Sequence, residues 1–322
     1  MSTSVMSAAV MRGEGRVQLE RVPVPRPGAR EVCVRLQGCG VCASNLPVWA
    51  GRPWFHYPLD PGTPGHEGWG EIAALGDEVG EFEVGERVAL LSGRAYADYD
   101  VAATDAIARI PANATGMPLP GEPLACAMNI FRRSQLERGQ WVAIVGVGFI
   151  GALLVQLAAN AGARVIALSR RPYALEIARQ CGAAHTFSTD DMHAAIGVVR
   201  ELTGGAGCER VIEAAGEQVT LDIASAVSAE GGRLMIAGYH QDGPRTVDMQ
   251  QWNWRGLDVI NAHERDPEVA ARGLREAMDA VRDGRLDPAA LLTHRMPLDR
   301  LSDAFELMRE RPEGFLKAVV TM

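Results

Sequence analysis

From Ala8 to about residue 110 the apolar positions come in short runs, AAVMRG, EVCVRL, GWGEIAALG, GERVALL and YADYDVA, separated by Gly and Pro. Runs of that length between turn residues predict an antiparallel, β-rich region. The period changes near Glu122. Leu124 to Leu136 reads as a helix, WVAIVG as a strand, FIGALLVQLAANAG as a helix, RVIAL as a strand and PYALEIARQCG as a helix opened by Pro172. The alternation continues through AHTF, a helix near 191–202, ERVIEAAG, a helix near 218–227, GRLMIAG and GLDVINA. Strands alternating with helices predict a doubly wound parallel sheet. Past about residue 265, Leu274, Met278 and Val281 share one helical stripe, and Leu301, Ala304, Phe305 and Met308 another. The segment LKAVVTM then reads as a strand. Isolated behind helices, it needs a sheet to join, and the sheet of the first region is the expected host. The expected fold class is therefore α/β: a β-rich domain formed by 1–121 and 265–322, interrupted by a parallel-sheet domain at 122–264.

Composition removes several functions. The 322 residues, 47% hydrophobic and 22% charged, make an ordinary globular mixture long enough for two cores. The net charge of −8, with no Lys/Arg run, argues against a nucleic-acid partner. Six thinly spread cysteines predict a reducing cytoplasm rather than a disulfide framework. The first residues lack the basic n-region of a cleaved signal. The most apolar segment, Trp141 to Val155, is broken by glycines and falls short of the roughly 18–20 residues of a membrane span, so no membrane partner is expected. Glycine, at 35 residues, is in excess, which makes its placement informative.

One cluster of glycines is Gly146-Val147-Gly148-Phe149-Ile150-Gly151, which follows an apolar strand and opens a helix. In that context the first glycine permits a tight turn, the second admits a pyrophosphate to the backbone, and the third packs helix on strand. The helix N-terminus then faces the anion. At the end of the second strand, where an NAD site carries an acid, this chain has Ser169, Arg170 and Arg171. A hydroxyl and guanidinium forks suit a 2′-phosphate, which predicts NADP(H) over NAD(H).

Other glycines surround candidate metal ligands. Cys42 lies in GCGVCASN, His66 and Glu67 in PGHEGWG, and Glu122 and Cys126 in GEPLACAMN. Thiolate, imidazole and carboxylate are the donors a catalytic zinc takes, three from protein with one position open.

With the Cys42 turn, Gly65-His66-Glu67, Gly85-Glu86-Arg87-Val88, Glu122-Pro123-Leu124, the Gly146 fingerprint and the Leu292-Thr293-His294 stretch, the chain resembles the zinc-dependent alcohol and polyol dehydrogenases of the medium-chain dehydrogenase/reductase family. The resemblance covers nearly the whole length. It implies a GroES-like catalytic domain with an inserted Rossmann domain, and one catalytic zinc held by Cys42, His66 and a carboxylate that is either Glu67 or Glu122. It implies that Ser44 relays the substrate proton and that Lys317 contacts cofactor phosphates. It leaves Cys126 as a packing residue, and the absence of cysteine between Cys42 and Cys126 removes the structural zinc lobe.

Two departures qualify that picture. Asn45 stands where the family carries an acid, so a carboxylate that would orient His66 is replaced by an amide, which implies weaker zinc binding. Pro47 replaces a relay histidine, so the proton leaves through His56 or directly to water. Trp49, Trp54, Phe55 and Tyr57 crowd one stretch and read as a substrate-pocket wall or an interface patch. The expected activity is hydride transfer between NADP(H) and a secondary alcohol or polyol and its carbonyl partner. A zinc-free enone or quinone reductase and a catalytically silent NADPH-binding protein are the alternatives. GLDVINA, at a sheet edge that pairs across dimers in relatives, predicts a homodimer or homotetramer.

Overall fold

The computed structural model describes residues 4–322. The chain divides into two compact units. Unit 1 runs to Ala125 and includes Asp266–Gly284 and Pro288–Met322, while unit 2 is Cys126–Arg265 with Arg285–Asp287. The elements begin with β1 (Val5–Gly13), β2 (Arg16–Pro23), β3 (Glu31–Gly40), α1 (Leu46–Trp49), β4 (Gly68–Leu75), β5 (Arg87–Leu90), β6 (Tyr99–Ala103) and β7 (Ile107–Arg109). Then come α2 (Gly121–Ser134), β8 (Trp141–Val145), α3 (Phe149–Asn160), β9 (Arg164–Leu168), α4 (Pro172–Gln180), β10 (His185–Phe187) and α5 (Met192–Leu202). They are followed by β11 (Cys208–Glu213), α6 (Gln218–Val227), β12 (Ser228–Ile236), α7 (Met249–Arg255) and β13 (Asp258–Asn261). The remaining elements are α8 (Pro267–Arg282), β14 (His294–Pro297), α9 (Leu301–Glu310) and β15 (Ala318–Thr321).

Unit 1 is built on a seven-stranded sheet in the order β14-β15-β3-β4-β5-β7, with β6 also paired to β3. The β-branched residues Val32, Val34, Ile72 and Val88 form its core with Leu36, Leu90 and Phe305 of α9. The helical stripe Leu301, Ala304, Phe305 and Met308 is the buried face of α9. Strand β15 joins β3 antiparallel, Val319 opposite Gly40 and Val320 opposite Cys39, which is the return the sequence pattern required. β1 and β2 form a separate ribbon.

Unit 2 carries a six-stranded, wholly parallel sheet in the order β10-β9-β8-β11-β12-β13. All of Val142 to Val145 is fully buried, as a central strand covered on both faces requires. The strand order reverses between β8 and β11, and ligands of such sheets bind outside the strand C-termini at that reversal. Five elements were not anticipated: β2, α1, β7, α7 and β14. Of these α7 had a signal: Asp248 caps it by accepting from the Gln251 amide, and Gly256 ends it in the left-handed region at φ 59°. No helix among the described residues is long and apolar enough to cross a membrane.

Candidate active site

The register of β3 against β4 brings the unit 1 ligand residues together. Cys39 pairs with Gly68, so the end of β3 leading to Cys42 lies beside the residues entering β4, His66 and Glu67. The Gly40 amide donates to the Glu67 carbonyl (3.1 Å). A Cβ on Gly40 would overlap Glu67 Oε2, so glycine here makes space for a buried carboxylate.

Among the described residues, the ligand atoms of Cys42, His66 and Glu67 lie within 4.8 Å of one another. His66 Nδ1 is 2.9 Å from the Pro64 carbonyl. With its proton donated there, Nε2 is left as the lone-pair nitrogen, the tautomer a metal ligand needs. Asn45 is buried, and its amide donates to the Tyr96 hydroxyl (2.9 Å) and to the same Pro64 carbonyl (3.4 Å). The neutral residue at position 45 thus meets His66 only through a shared backbone acceptor. The Ser44 hydroxyl lies 3.2 Å from Cys42 Sγ, within donating distance.

Lys317 corrects an expectation. The resemblance placed it on cofactor phosphates, but it is 4% exposed and its Nζ lies 2.6 Å from both oxygens of the fully buried Glu67. Oε1 accepts the hydrogen bond, while Oε2 is in ionic contact with the same ammonium and has no hydrogen-bond partner among the described residues. Burial pulls the ammonium toward neutrality, yet the charges of Glu67 and Cys42, the hydrogen bond to Glu67 and the charge of Glu122 hold its pKa above the ordinary lysine value. His66 reports the same field. Burial lowers its pKa, and the hydrogen bond and charge of Cys42, with the charges of Glu122 and Glu67, more than reverse this and raise it to about 10. The S, N and O donor set of Cys42, His66 and Glu67 fits a divalent zinc. Glu122, in the first turn of α2, is outside the three-residue group but acts on it through charge.

In unit 2 the three fingerprint glycines answer three different demands. Gly146 has φ 104°, and a Cβ there would come 2.8 Å from Ala215. Gly148 precedes α3, and a Cβ on it would meet nothing within 4 Å, which leaves its backbone open to a ligand. A Cβ on Gly151 would overlap the Gly146 carbonyl. Phe149 and Ile150 form the first turn of α3. Beyond β9, Ser169 Oγ accepts from the Arg171 amide (3.3 Å), and Arg171 donates to the Val147 carbonyl of the glycine loop (3.3 Å). Arg170 is solvent-exposed and pairs with Glu217 at 3.0 Å.

The aromatic stretch is not a continuous wall. Trp49 is a core residue, stacked on Phe305 at 5.0 Å with its indole N–H donating to Glu306 (2.8 Å). Phe55 and Tyr57 lean on the same core, and Trp54 is exposed. His56 is exposed on this loop. Sequence reasoning missed Lys317 as the counter-charge of Glu67 and Pro64 as the acceptor for His66. A lysine within an apolar strand segment was the available signal for the first; a backbone carbonyl leaves none.

Comparison with known proteins places these features. The family described as alcohol dehydrogenase GroES-like domain matches residues 28–117, and that described as zinc-binding dehydrogenase matches residues 150–279. L-threonine 3-dehydrogenase of Bacillus subtilis (strain 168) is 27% identical over 335 residues, covering 94% of this chain and 95% of that protein. Sorbitol dehydrogenase of the same strain is 25% identical over 347 residues, covering 98% and 97%. A candidate zinc-binding dehydrogenase of Sinorhizobium meliloti 1021, solved bound to NADP, superposes with a TM-score of 0.85 at 25% identity, covering 99% of this chain and 100% of that one. The chain belongs to the zinc-type medium-chain dehydrogenase/reductase family, as an oxidoreductase of the alcohol and polyol dehydrogenase kind.

Proposed function

We propose that the protein is an NADP(H)-preferring zinc dehydrogenase interconverting a secondary alcohol or polyol and the corresponding ketone or aldehyde. The observation that carries the proposal is the convergence of Cys42, His66 and Glu67 within 4.8 Å, beside the Ser44 hydroxyl. These three are the proposed zinc ligands, with Glu122 as a charged neighbour. Bound there, zinc would supply Lewis acidity toward a carbonyl or alkoxide oxygen, and the nicotinamide would supply the redox step. The chain's own residues do the rest. Ser44 moves the substrate proton, turning its O–H from Cys42 toward the substrate oxygen. His56, exposed, is one exit for that proton, and direct loss to water is the other. Lys317 holds Glu67 in place as its buried counter-charge. In unit 2, Gly146, Gly148 and Gly151 admit the pyrophosphate, with Phe149 and Ile150 offering the first amides of α3. Ser169, Arg170 and Arg171, with no carboxylate among them, support the 2′-phosphate preference. The edge position of β13 supports assembly as a homodimer or homotetramer.

A zinc-free enone or quinone reductase is the second reading, favoured by one observation: the Lys317 ammonium already faces both oxygens of Glu67. The test is zinc quantification with turnover measurements on one preparation, using NADPH and NADH against secondary alcohols, sorbitol, L-threonine, ketones, enones and quinones. Near-stoichiometric zinc and NADPH-linked alcohol or ketone turnover are expected. Absence of zinc with enone or quinone turnover would reject the zinc proposal. Arg170→Ala should reduce the preference for NADPH, and equal use of both cofactors by the wild type would reject that part.

A further inference from the structure

Outside the glycine loop, unit 2 holds a second polar assembly at the strand C-termini, built on a buried carboxylate, and none of the preceding chemistry uses it. Glu213, the last residue of β11, is fully buried. Its Oε1 accepts from the amides of Ala215 (2.8 Å) and Gly216 (2.7 Å), with the Thr220 hydroxyl at 2.8 Å. Its Oε2 is 3.0 Å from His240 Nε2. On the other side of that ring Arg245 Nε donates to His240 Nδ1 (2.9 Å). A guanidinium can only donate, so Nδ1 is the acceptor and the single imidazole proton sits on Nε2, pointing at Glu213. Arg245 also donates to the Gly216 carbonyl (2.8 Å) and pairs with Asp242.

The assembly ties two loops into one body. The first, Ala214 to Glu217, follows β11; the second, from Ala237 to Arg245, follows β12. They touch so closely that a Cβ on Gly238 would overlap both the Gly216 nitrogen and Glu213 Oε2. The first loop is also the surface on which the phosphate-binding turn rests, because the missing Cβ of Gly146 leaves room for Ala215. Glu213 therefore braces the glycine fingerprint from behind, and β11 is the strand at which the sheet order reverses, where the cofactor crevice opens.

We infer that Glu213, His240 and Arg245 are positioning residues for the dinucleotide, a carboxylate–imidazole–guanidinium clamp that fixes the two loops forming one wall of its crevice. None of the three is required to touch the reacting atoms. The inference rests on the reading that this crevice takes NADP(H), and the experiment separates the two. The full-length protein and its His240→Ala, Arg245→Ala and His240→Gln variants are titrated with NADPH and with NADH without substrate, and KM for cofactor, KM for the alcohol or carbonyl, kcat and Tm are compared.

In each alanine variant cofactor Kd and cofactor KM should rise roughly tenfold, the scale of a lost charge-assisted hydrogen bond, while KM for the second substrate stays within about twofold. His240→Gln keeps one donor and one acceptor, so it should restore most of the affinity. Folded alanine variants with unchanged cofactor Kd, or a glutamine variant no better than alanine, would overturn the clamp while leaving the cofactor reading intact. A wild-type protein that binds neither dinucleotide would overturn both.

Discussion

The two units meet the demands of a binding site by opposite means. In unit 1 the candidate metal centre is assembled from side chains whose charges are withdrawn from water, Glu67 and Lys317 among them, and the backbone's part is mainly to make room, as at Gly40. In unit 2 the proposed cofactor crevice is defined by backbone: three glycines and the first turn of α3, with ionisable groups behind the wall or at its exposed margin. A site of buried charges concentrates field strength on a small cation but is intolerant of a missing partner. A site of amides and absent side chains receives a long, polyanionic ligand and is intolerant of added atoms.

Substitutions can break this contrast, and the largest effect belongs to unit 1. Lys317→Met leaves Glu67 buried without its counter-charge and should lower the stability of the metal-free protein by about 3–5 kcal/mol in urea unfolding. The double change Lys317→Met with Glu67→Gln should recover most of that loss. A deficit under about 1 kcal/mol for the single variant would mean the pair behaves as if solvent-exposed.

In unit 2 the sensitivity should follow space. Gly151→Ala, whose methyl overlaps the Gly146 carbonyl, should cost about 1–3 kcal/mol in unfolding experiments. Gly148→Ala meets no atom and should leave stability within about 0.5 kcal/mol while weakening NADPH binding in titrations. Equal destabilisation by the two would contradict the division of labour among the glycines.

A subtler change tests whether His66 is under-supported. Asn45→Asp restores a carboxylate near the Pro64 carbonyl and should tighten zinc about tenfold, measured by chelator competition, at some expense to apoprotein stability. Unchanged zinc affinity would show that Pro64 alone sets the ring. The smallest effect is one of protection. Burial, then the charge of Asp100, pushes the Cys33 thiol up to about 11. Burial, then the charge of Glu209, pushes that of Cys208 up to about 12. Both stay protonated at pH 8, so mass-mapped alkylation of native protein should spare them and label Cys42 only after zinc is chelated.

What could be read from the chain alone follows the same division. Apolar periodicity located the strands of the parallel sheet and its helices other than α7, and the spacing of Gly146, Gly148 and Gly151 marked the turn between β8 and α3, because few residues other than glycine satisfy those backbone demands. The ligand types at Cys42, His66 and Glu67 were equally visible. Their partners were not. Lys317 reaches Glu67 across the β15–β3 pairing, Pro64 acts through a carbonyl, and Trp49 is in the core because α9 presents Phe305 to it. Glu213 ends β11 while His240 and Arg245 lie in the loop after β12, and they meet only once β11 and β12 are paired. Long-range registers create these contacts, and no local pattern records them.

The Lys317–Glu67 pair also has a topological meaning. It closes a ring across 250 positions of chain, with all of unit 2 inside. Joining the ends of a flexible loop becomes harder by about 0.6 kcal/mol for each doubling of its length, so the ring closes more readily once its interior has become compact. The connectivity thus favours an order of events in which the inserted unit condenses first and β15 meets β3 late. During refolding, hydrogen-exchange protection of the β8 amides should return before that of the β15 amides, and the reverse order would contradict this sequence. The Lys317–Glu67 contact is on that basis a latch, made after the unit it encloses has condensed.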